Sequence, residues 1–145
     1  MANKDLDREA TLAAFFDDGA YTVLFAGGAV CAACGTACGQ PVYAVHQNGA
    51  ALSAKDVEKT VHTLELAAET GRPVVTFYDS VGAKLEEGLE VLAASSRYTE
   101  AVAKLSGVVP QLAVVTGVCG GTIALAAANA DLCIMKRSVQ NRAIS

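Results

Sequence analysis

Residues 110–135 read PQLAVVTGVCGGTIALAAANADLCIM, and this stretch carries the strongest prediction of the fold. Its pattern predicts a buried strand at 111–116, a glycine turn at 117–121, an alanine-rich helix at 122–129 and a second buried strand at 132–135. Buried strands that alternate with helices are typical of a mostly parallel α/β layer.

The glycine turn has the build of an oxyanion hole. Gly120 and Gly121 carry no Cβ, and the helix that follows leaves its first N–H groups unpaired and adds the positive end of its dipole. Such N–H groups can stabilise negative charge on a carbonyl oxygen. A Gly-Gly pair between a strand and a helix is more often only a tight connection, so the turn by itself leaves both interpretations open.

The same stretch could be taken for a membrane span, because no charged residue occurs from Ser106 to Ala130. A span needs about 20 apolar residues. Pro110, Gln111, the glycines and Asn129 interrupt the run at intervals that suit a strand, a turn and a short helix better. We therefore reject the span.

The composition predicts a compact soluble domain. The 145 residues are 52% hydrophobic and 18% charged, with a net charge of -4. A chain of this length can bury roughly two-thirds of its unfolded surface, and mild acidity offers no electrostatic footprint for nucleic acid or anionic membrane. The N-terminal residues lack the apolar run of a secretory signal, so we expect a cytoplasmic protein whose five cysteines are free thiols.

The rest of the chain predicts further strands and two long helices. Apolar runs at 21–26, 30–36 and 41–46 indicate an antiparallel meander, and 74–78 a buried strand. Ser53 and Gly71 are the expected cap and terminator of one helix. A second helix is expected at 85–105, with the inward-facing residues Leu89, Leu92, Ser96 and Ala103.

Six short segments, in order, resemble the N-terminal half of the biotin-dependent acyl-CoA carboxyltransferases, the family of acyl-CoA carboxylase β-type subunits and glutaconyl-CoA decarboxylase. Residues 35–42 (GTACGQPV) match its Gly-x-x-x-Gly-Arg-Pro-Val hairpin, and 48–52 (NGAAL) its Phe-Gly-Gly-Ser-Leu loop. Residues 70–74 (TGRPV) and 79–88 (DSVGAKLEEG) match Thr-Gly-x-Pro-Val and Asp-Ser-Gly-Gly-Ala-Arg-(Ile/Leu)-Gln-Glu-Gly. Residues 107–111 and 117–135 align without a gap to Gly-Val-Ile-Pro-Gln and Gly-Pro-Cys-Ala-Gly-Gly-Ala.

The resemblance implies a crotonase-like (ClpP/crotonase) α/β fold, a spiral of ββα units that is truncated here, with residues 1–145 as a single N-terminal-type carboxyltransferase domain. It also implies that the glycine turn holds the thioester oxygen of an acyl-CoA while the α-carbon becomes an enolate and accepts CO2 from carboxybiotin. The oxyanion residues would be Gly120, Gly121 and Thr122.

The resemblance further implies a binding path for the acyl and pantetheine groups. Backbone atoms of two loops would line this path, with Gly49 and Ala50 in the first loop and Gly82 and Ala83 in the second.

Three residues depart from the family pattern by replacing a glycine: Ala50, Val81 and Thr122. Each adds a Cβ beside the acyl path. A β-branched side chain resists positive φ, so we expect that Val81 and Thr122 cannot copy a glycine conformation in that region.

The family places its active site between two halves supplied by different subunits, whereas this chain stops at Ser145. The resemblance therefore implies three partners besides acyl-CoA: a complementary carboxyltransferase half, a biotin carboxyl carrier protein that brings biotin, and further copies of the chain in a trimer or a multiple of it. Two other functions stay open, a non-catalytic acyl-CoA-binding or assembly subunit and a stand-alone hydratase or thioesterase of the crotonase type.

Other chemistry-bearing residues favour structural roles. Cys31, Cys34 and Cys38 form Cys-x2-Cys-x3-Cys, but a zinc ribbon needs a fourth ligand, and Cys31 and Cys34 would face opposite sides of a strand, so we expect no metal. Glu86 and Glu87 could be a hydratase carboxylate pair, although neighbours on a helix point about 100° apart. The two histidines, His46 and His62, are expected to be structural or surface residues.

Overall fold

A computed structural model describes residues 2–119 and 130–135 of the chain. This part of the chain contains the helices α1 (Ala2–Phe15), α2 (Ala54–Thr70) and α3 (Leu89–Leu105), with short 3-10 turns at Asp17–Gly19 and Leu85–Glu87. Its strands are β1 (Tyr21–Phe25), β2 (Val30–Ala37), β3 (Gln40–Gln47), β4 (Val74–Ser80), β5 (Gln111–Cys119) and β6 (Leu132–Met135). Within these residues no helix combines the length and the apolar character that crossing a bilayer requires.

The six strands form one sheet in the order β1-β2-β3-β4-β5-β6. The first three pair antiparallel, and β3 to β6 pair parallel, which confirms the predicted meander and parallel layer. Cys38 and Gly39 both have positive φ and form the two-residue turn that a β2–β3 hairpin needs. Parallel neighbours require crossovers, and α2 supplies the one between β3 and β4 while α3 supplies the one between β4 and β5.

Side chains on the two faces of the sheet form two separate apolar clusters. On one face Val45 and Tyr78 pack in a cluster with residues of α2 and α3. On the other face Val75 and Phe77 pack with Leu12 of α1.

Helix α2 forms as its sequence predicts. Ser53 caps the helix, and its hydroxyl accepts a hydrogen bond from the Asp56 N–H while the Asp56 carboxylate accepts one from the Ser53 N–H. Gly71 ends the helix in the left-handed conformation at φ 67°. A capping box at one end and a glycine at the other therefore fix both bounds of α2.

The prediction of which α3 residues face the core is wrong. Leu89 is 83% exposed and Leu92 is 62% exposed, and Ser96 and Ala103 are exposed as well. Gly88, at φ 60°, separates the 3-10 turn from a helix that begins only at Leu89. The buried face consists instead of Val91, Ala94, Ser95, Tyr98, Val102 and Leu105.

Tyr98 brings a hydroxyl group into the core. A 2.7 Å hydrogen bond between the hydroxyls of Tyr78 and Tyr98 satisfies this buried polar group.

The C-terminal strands also differ from the sequence-based prediction. β5 continues to Cys119, so Gly117 lies inside a strand rather than opening a turn. β6 was expected to be buried on both faces, but it lies at the edge of the sheet and Leu132 and Ile134 are each 52% exposed. The predicted helix at 122–129 lies outside the described residues.

Candidate functional site

The two loops predicted to line the acyl path meet at one edge of the sheet. Parallel strands end at the same edge, so the loop after β3 and the loop after β4 become neighbours. The Leu52 N–H donates to the Gly82 carbonyl at 2.8 Å, and the Lys84 N–H donates to the Leu52 carbonyl at 2.7 Å. We call residues 48–52 the first loop and residues 81–84 the second loop.

Ser80 joins the two loops through its side chain. The residue is fully buried. Its hydroxyl donates to the Ala50 carbonyl at 2.8 Å and accepts from the Gly82 N–H at 3.1 Å. The first and second loops are therefore held together by both backbone and side-chain hydrogen bonds.

Most of the predicted binding positions use their own N–H groups inside the protein. Gly49 donates to the Asp79 carbonyl at 2.7 Å and Ala50 donates to Asn48 Oδ1 at 3.0 Å. Gly82 donates to Ser80, as described above. In the described part of the chain, no such bond uses the N–H of Val81 or Ala83. These two N–H groups are the candidate ligand donors of the second loop.

Ala50 and Val81, which stand where the family has glycine, show no backbone strain. Gly49 and Gly82 take up the unusual conformations of the loops, with φ of 95° and 118°. Across residues 2–119 and 130–135, Asp18 and Cys38 are the only residues other than glycine with positive φ, so Ala50 and Val81 do not need a glycine conformation. The Val81 side chain is exposed.

A carboxylate lies where the ends of β3, β4 and β5 meet. Gly117 of β5 lies against the Asp79 side chain, and a Cβ on Gly117 would overlap the carboxylate. The Asp79 N–H donates to Oε1 of Gln47 at 2.9 Å. Gln47 is only 1% exposed, and its Nε2 has no hydrogen-bond partner among the described residues.

The sequence predictions gave no role to Asp79, Ser80 or Gln47. Asp79 and Ser80 stand inside the quoted motif at 79–88, and a polar pair at the end of an apolar strand was the available signal. Gln47 ends β3 and gave no comparable signal, because its contact with Asp79 depends on the pairing of β3 with β4.

The predicted oxyanion residues Gly120, Gly121 and Thr122 lie outside the described residues. The strand that leads to them is β5, whose last residue is Cys119. Cys119 pairs with Ser80, so β5 ends beside the residue that joins the two loops.

The carboxylates at 86 and 87 do not form a pair on a helix. They belong to the 3-10 turn Leu85–Glu87, and Glu87 Oε1 accepts a hydrogen bond from the Ala54 N–H at 2.8 Å. This bond satisfies a free donor in the first turn of α2. Glu87 therefore connects the segment after the second loop to the helix after the first loop.

The predicted separation of Cys31 and Cys34 is confirmed. Cys31 is buried in the α1-side cluster, whereas Cys34 packs against the α2–α3 side. Burial raises the pKa of the Cys31 thiol, although the positive charges of Arg8 and Lys59 oppose this effect. A neutral buried thiol is a poor nucleophile, which favours a structural role for Cys31.

The two histidines occupy different environments. His46 is buried in the sheet, and its ring lies 6.2 Å from that of Phe77. His62 is exposed on α2 and makes an edge contact with Phe25. These surroundings are those of packing residues.

Comparison with known proteins gives a consistent match. Residues 7–144 match the model of the carboxyl transferase domain family. The methylmalonyl-CoA carboxyltransferase 12S subunit of Propionibacterium freudenreichii subsp. shermanii is 39% identical over 107 residues, which are 71% of this chain and 20% of that protein. The chain therefore spans about a fifth of that relative's length.

Solved structures agree with the sequence match. The transcarboxylase 12S structure with bound methylmalonyl-coenzyme A has a TM-score of 0.80 at 30% identity, covering 88% of this chain and 29% of that one. A Pseudomonas malonate decarboxylase hetero-dimer also gives 0.80 at 26% identity, covering 91% and 62%. The expected crotonase-like α/β fold is confirmed.

Proposed function

The chain belongs to the carboxyl transferase domain family, and on that premise we propose that it forms the acyl-CoA-binding part of a biotin-dependent carboxyltransferase or decarboxylase. The observation that carries this proposal is the joining of the first and second loops beside the end of β5. The first loop, the second loop and the end of β5 are thus neighbours and could line one thioester. Residues 1–145 would act as one N-terminal-type domain.

The proposed chemistry relies on backbone groups. A thioester bound here would direct its carbonyl oxygen at N–H donors, with Gly120, Gly121 and Thr122 as the oxyanion residues. Gly49, Ala50, Gly82 and Ala83 would line the acyl and pantetheine path, with the N–H of Ala83 as a donor to the ligand. Loss of a proton or of CO2 from the α-carbon gives an enolate, whose negative charge lies largely on the thioester oxygen. N–H donors that bind this oxygen therefore stabilise the enolate. Carboxybiotin, held by a partner chain, would supply or accept CO2.

The proposed partners follow from the proposal that this chain supplies only one of the two halves that form the active site. A complementary carboxyltransferase half and a biotin carboxyl carrier protein would complete it, and the chain would assemble with further copies as a trimer or a multiple of it. The similar solved structures are named as a hexamer assembly and as a hetero-dimer, which supports an assembly of several chains. Sedimentation as a stable monomer, or carboxyl transfer by the purified chain alone, would contradict this part of the proposal.

A non-catalytic acyl-CoA-binding subunit is the second candidate, since three family glycines are replaced. The ordinary backbone of Ala50 and Val81 weakens the reason for this alternative. A stand-alone hydratase would need a pair of carboxylates at the site, but Glu87 is engaged at the start of α2. Binding without turnover in the assembled complex would favour the non-catalytic subunit.

Hydrogen exchange with acetyl-CoA tests the proposal directly. We expect acetyl-CoA to slow exchange of the amides at 81–83 and 117–124, whereas CoA, which lacks the thioester oxygen, should leave them unchanged. Protection confined to other segments would contradict the oxyanion assignment.

A substitution at the glycine turn gives a second test. Gly121→Val should abolish acetyl-CoA binding in a folded protein, because a β-branched side chain fills the approach to the backbone donors. Unchanged binding by the folded variant would also contradict the assignment.

A further inference from the structure

The geometry points to Asp79 as a positioning residue for the acyl-CoA site. We infer that its side chain holds β5 at the distance from the first loop that thioester binding needs. The inference rests on the proposed function and concerns a side chain to which the sequence predictions gave no role.

The Asp79 carboxylate lies at a bulge between β4 and β5. Tyr78 pairs with Val115 and Ser80 pairs with Cys119, so the single residue Asp79 lies opposite the three residues 116–118. The middle one is Gly117, where a Cβ would overlap the carboxylate. Gly117 does not have positive φ, so glycine is needed here for space and not for backbone conformation.

The same carboxylate faces the first loop on its other side. A Cβ built on Gly49 would lie 3.4 Å from Asp79 Oδ2, which is van der Waals contact. The backbone of Asp79 binds this region as well, since its carbonyl accepts from Gly49 and its N–H donates to Gln47. Asp79 therefore contacts the ends of both strands that flank β4.

Removal of this side chain would leave a gap between two glycines, and neither glycine has a side chain to fill it. We expect the bulge of β5 to shift toward the first loop. A displacement of about 1 Å at a reacting group can cost about 100-fold in rate. The acyl end of the ligand should respond to such a shift, whereas the nucleotide end should not.

Ligand binding by a set of variants tests this role. Asp79→Ala should weaken acetyl-CoA binding by about ten-fold, a change of about 1.4 kcal/mol, while binding of CoA changes by less than about two-fold. Asp79→Asn keeps the shape of the side chain and should restore acetyl-CoA binding. Glu86→Ala, which removes an exposed carboxylate close to the second loop, is the matched control and should bind both ligands normally.

A double variant separates positioning from simple space filling. Gly117→Ala should lose acetyl-CoA binding because its methyl group displaces the carboxylate. Asp79→Ala combined with Gly117→Ala relieves the overlap and should restore stability to urea, but not the preference for acetyl-CoA over CoA. Full recovery of that preference, or equal weakening of both ligands in Asp79→Ala, would overturn the inference.

A measurement without ligand distinguishes this inference from the proposed function. Asp79→Ala should accelerate exchange of the Gly49 amide, whereas Glu86→Ala should not. Failure of the wild-type chain to bind acetyl-CoA would count against the proposed function alone. Unchanged exchange at Gly49 in Asp79→Ala would overturn the positioning role.

Discussion

Two regions of this molecule place an aspartate against a glycine, and the two aspartates have different roles. Asp56 is 3% exposed, and its carboxylate accepts from the Ala29 N–H, the Ser53 N–H and the Ser53 hydroxyl. Asp79 is half-buried at the edge where the first and second loops meet. Asp56 ties a β1–β2 turn to the start of α2, whereas Asp79 separates two strand ends. The comparison suggests that the first aspartate serves stability and the second serves the site.

The largest effect on stability is expected from Asp56→Ala. The change leaves the N–H of buried Ala29 and the donors of half-buried Ser53 without an acceptor and removes the capping box, at a cost of about 3 kcal/mol in the free energy of unfolding. Urea denaturation followed by circular dichroism measures this cost. Asp79→Ala is the matched variant, and an equal loss of stability there would break the comparison.

A second effect is expected at Gly28, the glycine that lies against Asp56. Gly28 has φ of 64°, and a Cβ on it would lie 2.5 Å from Asp56 Oδ1. Gly28→Ala therefore meets both backbone strain and overlap, and we expect a loss of about 2 kcal/mol. Gly27 also has positive φ but has no atom within 4 Å of a built Cβ. Gly27→Ala should thus cost less in the same denaturation experiment, and equal costs would contradict the role given to Asp56.

A smaller effect is expected from Glu87→Ala. The variant loses the acceptor for the Ala54 N–H at the start of α2, which should cost about 1 kcal/mol. Because Glu87 also links the segment after the second loop to α2, exchange at 82–84 should accelerate. Glu86→Ala is the control, and an equal cost in both variants would show that only the negative charge matters.

The smallest effect is expected at the ion pair between Arg97 and Glu58. Its atoms are 2.7 Å apart, but both side chains are at least half exposed. Exposed pairs of this kind contribute about 0.5 kcal/mol or less, and salt screens them. Arg97→Ala should therefore change the unfolding midpoint only slightly, and a large loss would show that α2 and α3 depend on this contact.

The sequence predicted the elements with strong local patterns. The capping box at Ser53, the glycine at 71 and the short apolar runs of the strands each depend on neighbours in the chain. The prediction of the buried face of α3 was wrong because that face depends on contacts that are distant in the chain. Leucines would be expected to face the core, but the helix begins only after Gly88, and Tyr98 is buried instead with its hydroxyl bonded to that of Tyr78.

The candidate site was predictable only in part. The motifs located the first and second loops, and parallel pairing brings them together. The contact of Asp79 with Gly117 depends on a bulge between strands more than 30 residues apart in the chain, and no local pattern carries that information. The same holds for Ser80, whose hydroxyl bonds to Ala50 across the edge of the sheet. The oxyanion residues Gly120, Gly121 and Thr122 stay a prediction.

The order of the strands has a consequence for how the protein reaches this structure. In the part of the chain that the structure describes, each strand after β1 pairs with the strand before it, so its partner has already been synthesised. The antiparallel pairings of β1 with β2 and of β2 with β3 have low sequence separation, so they close small loops at a modest entropic cost. The parallel pairings of β3 with β4 and of β4 with β5 must each close a longer crossover that contains a helix, and they form more slowly. We expect the β2–β3 hairpin to form first, with each later parallel strand adding to the growing edge. The strands can thus pair in the order in which they are synthesised.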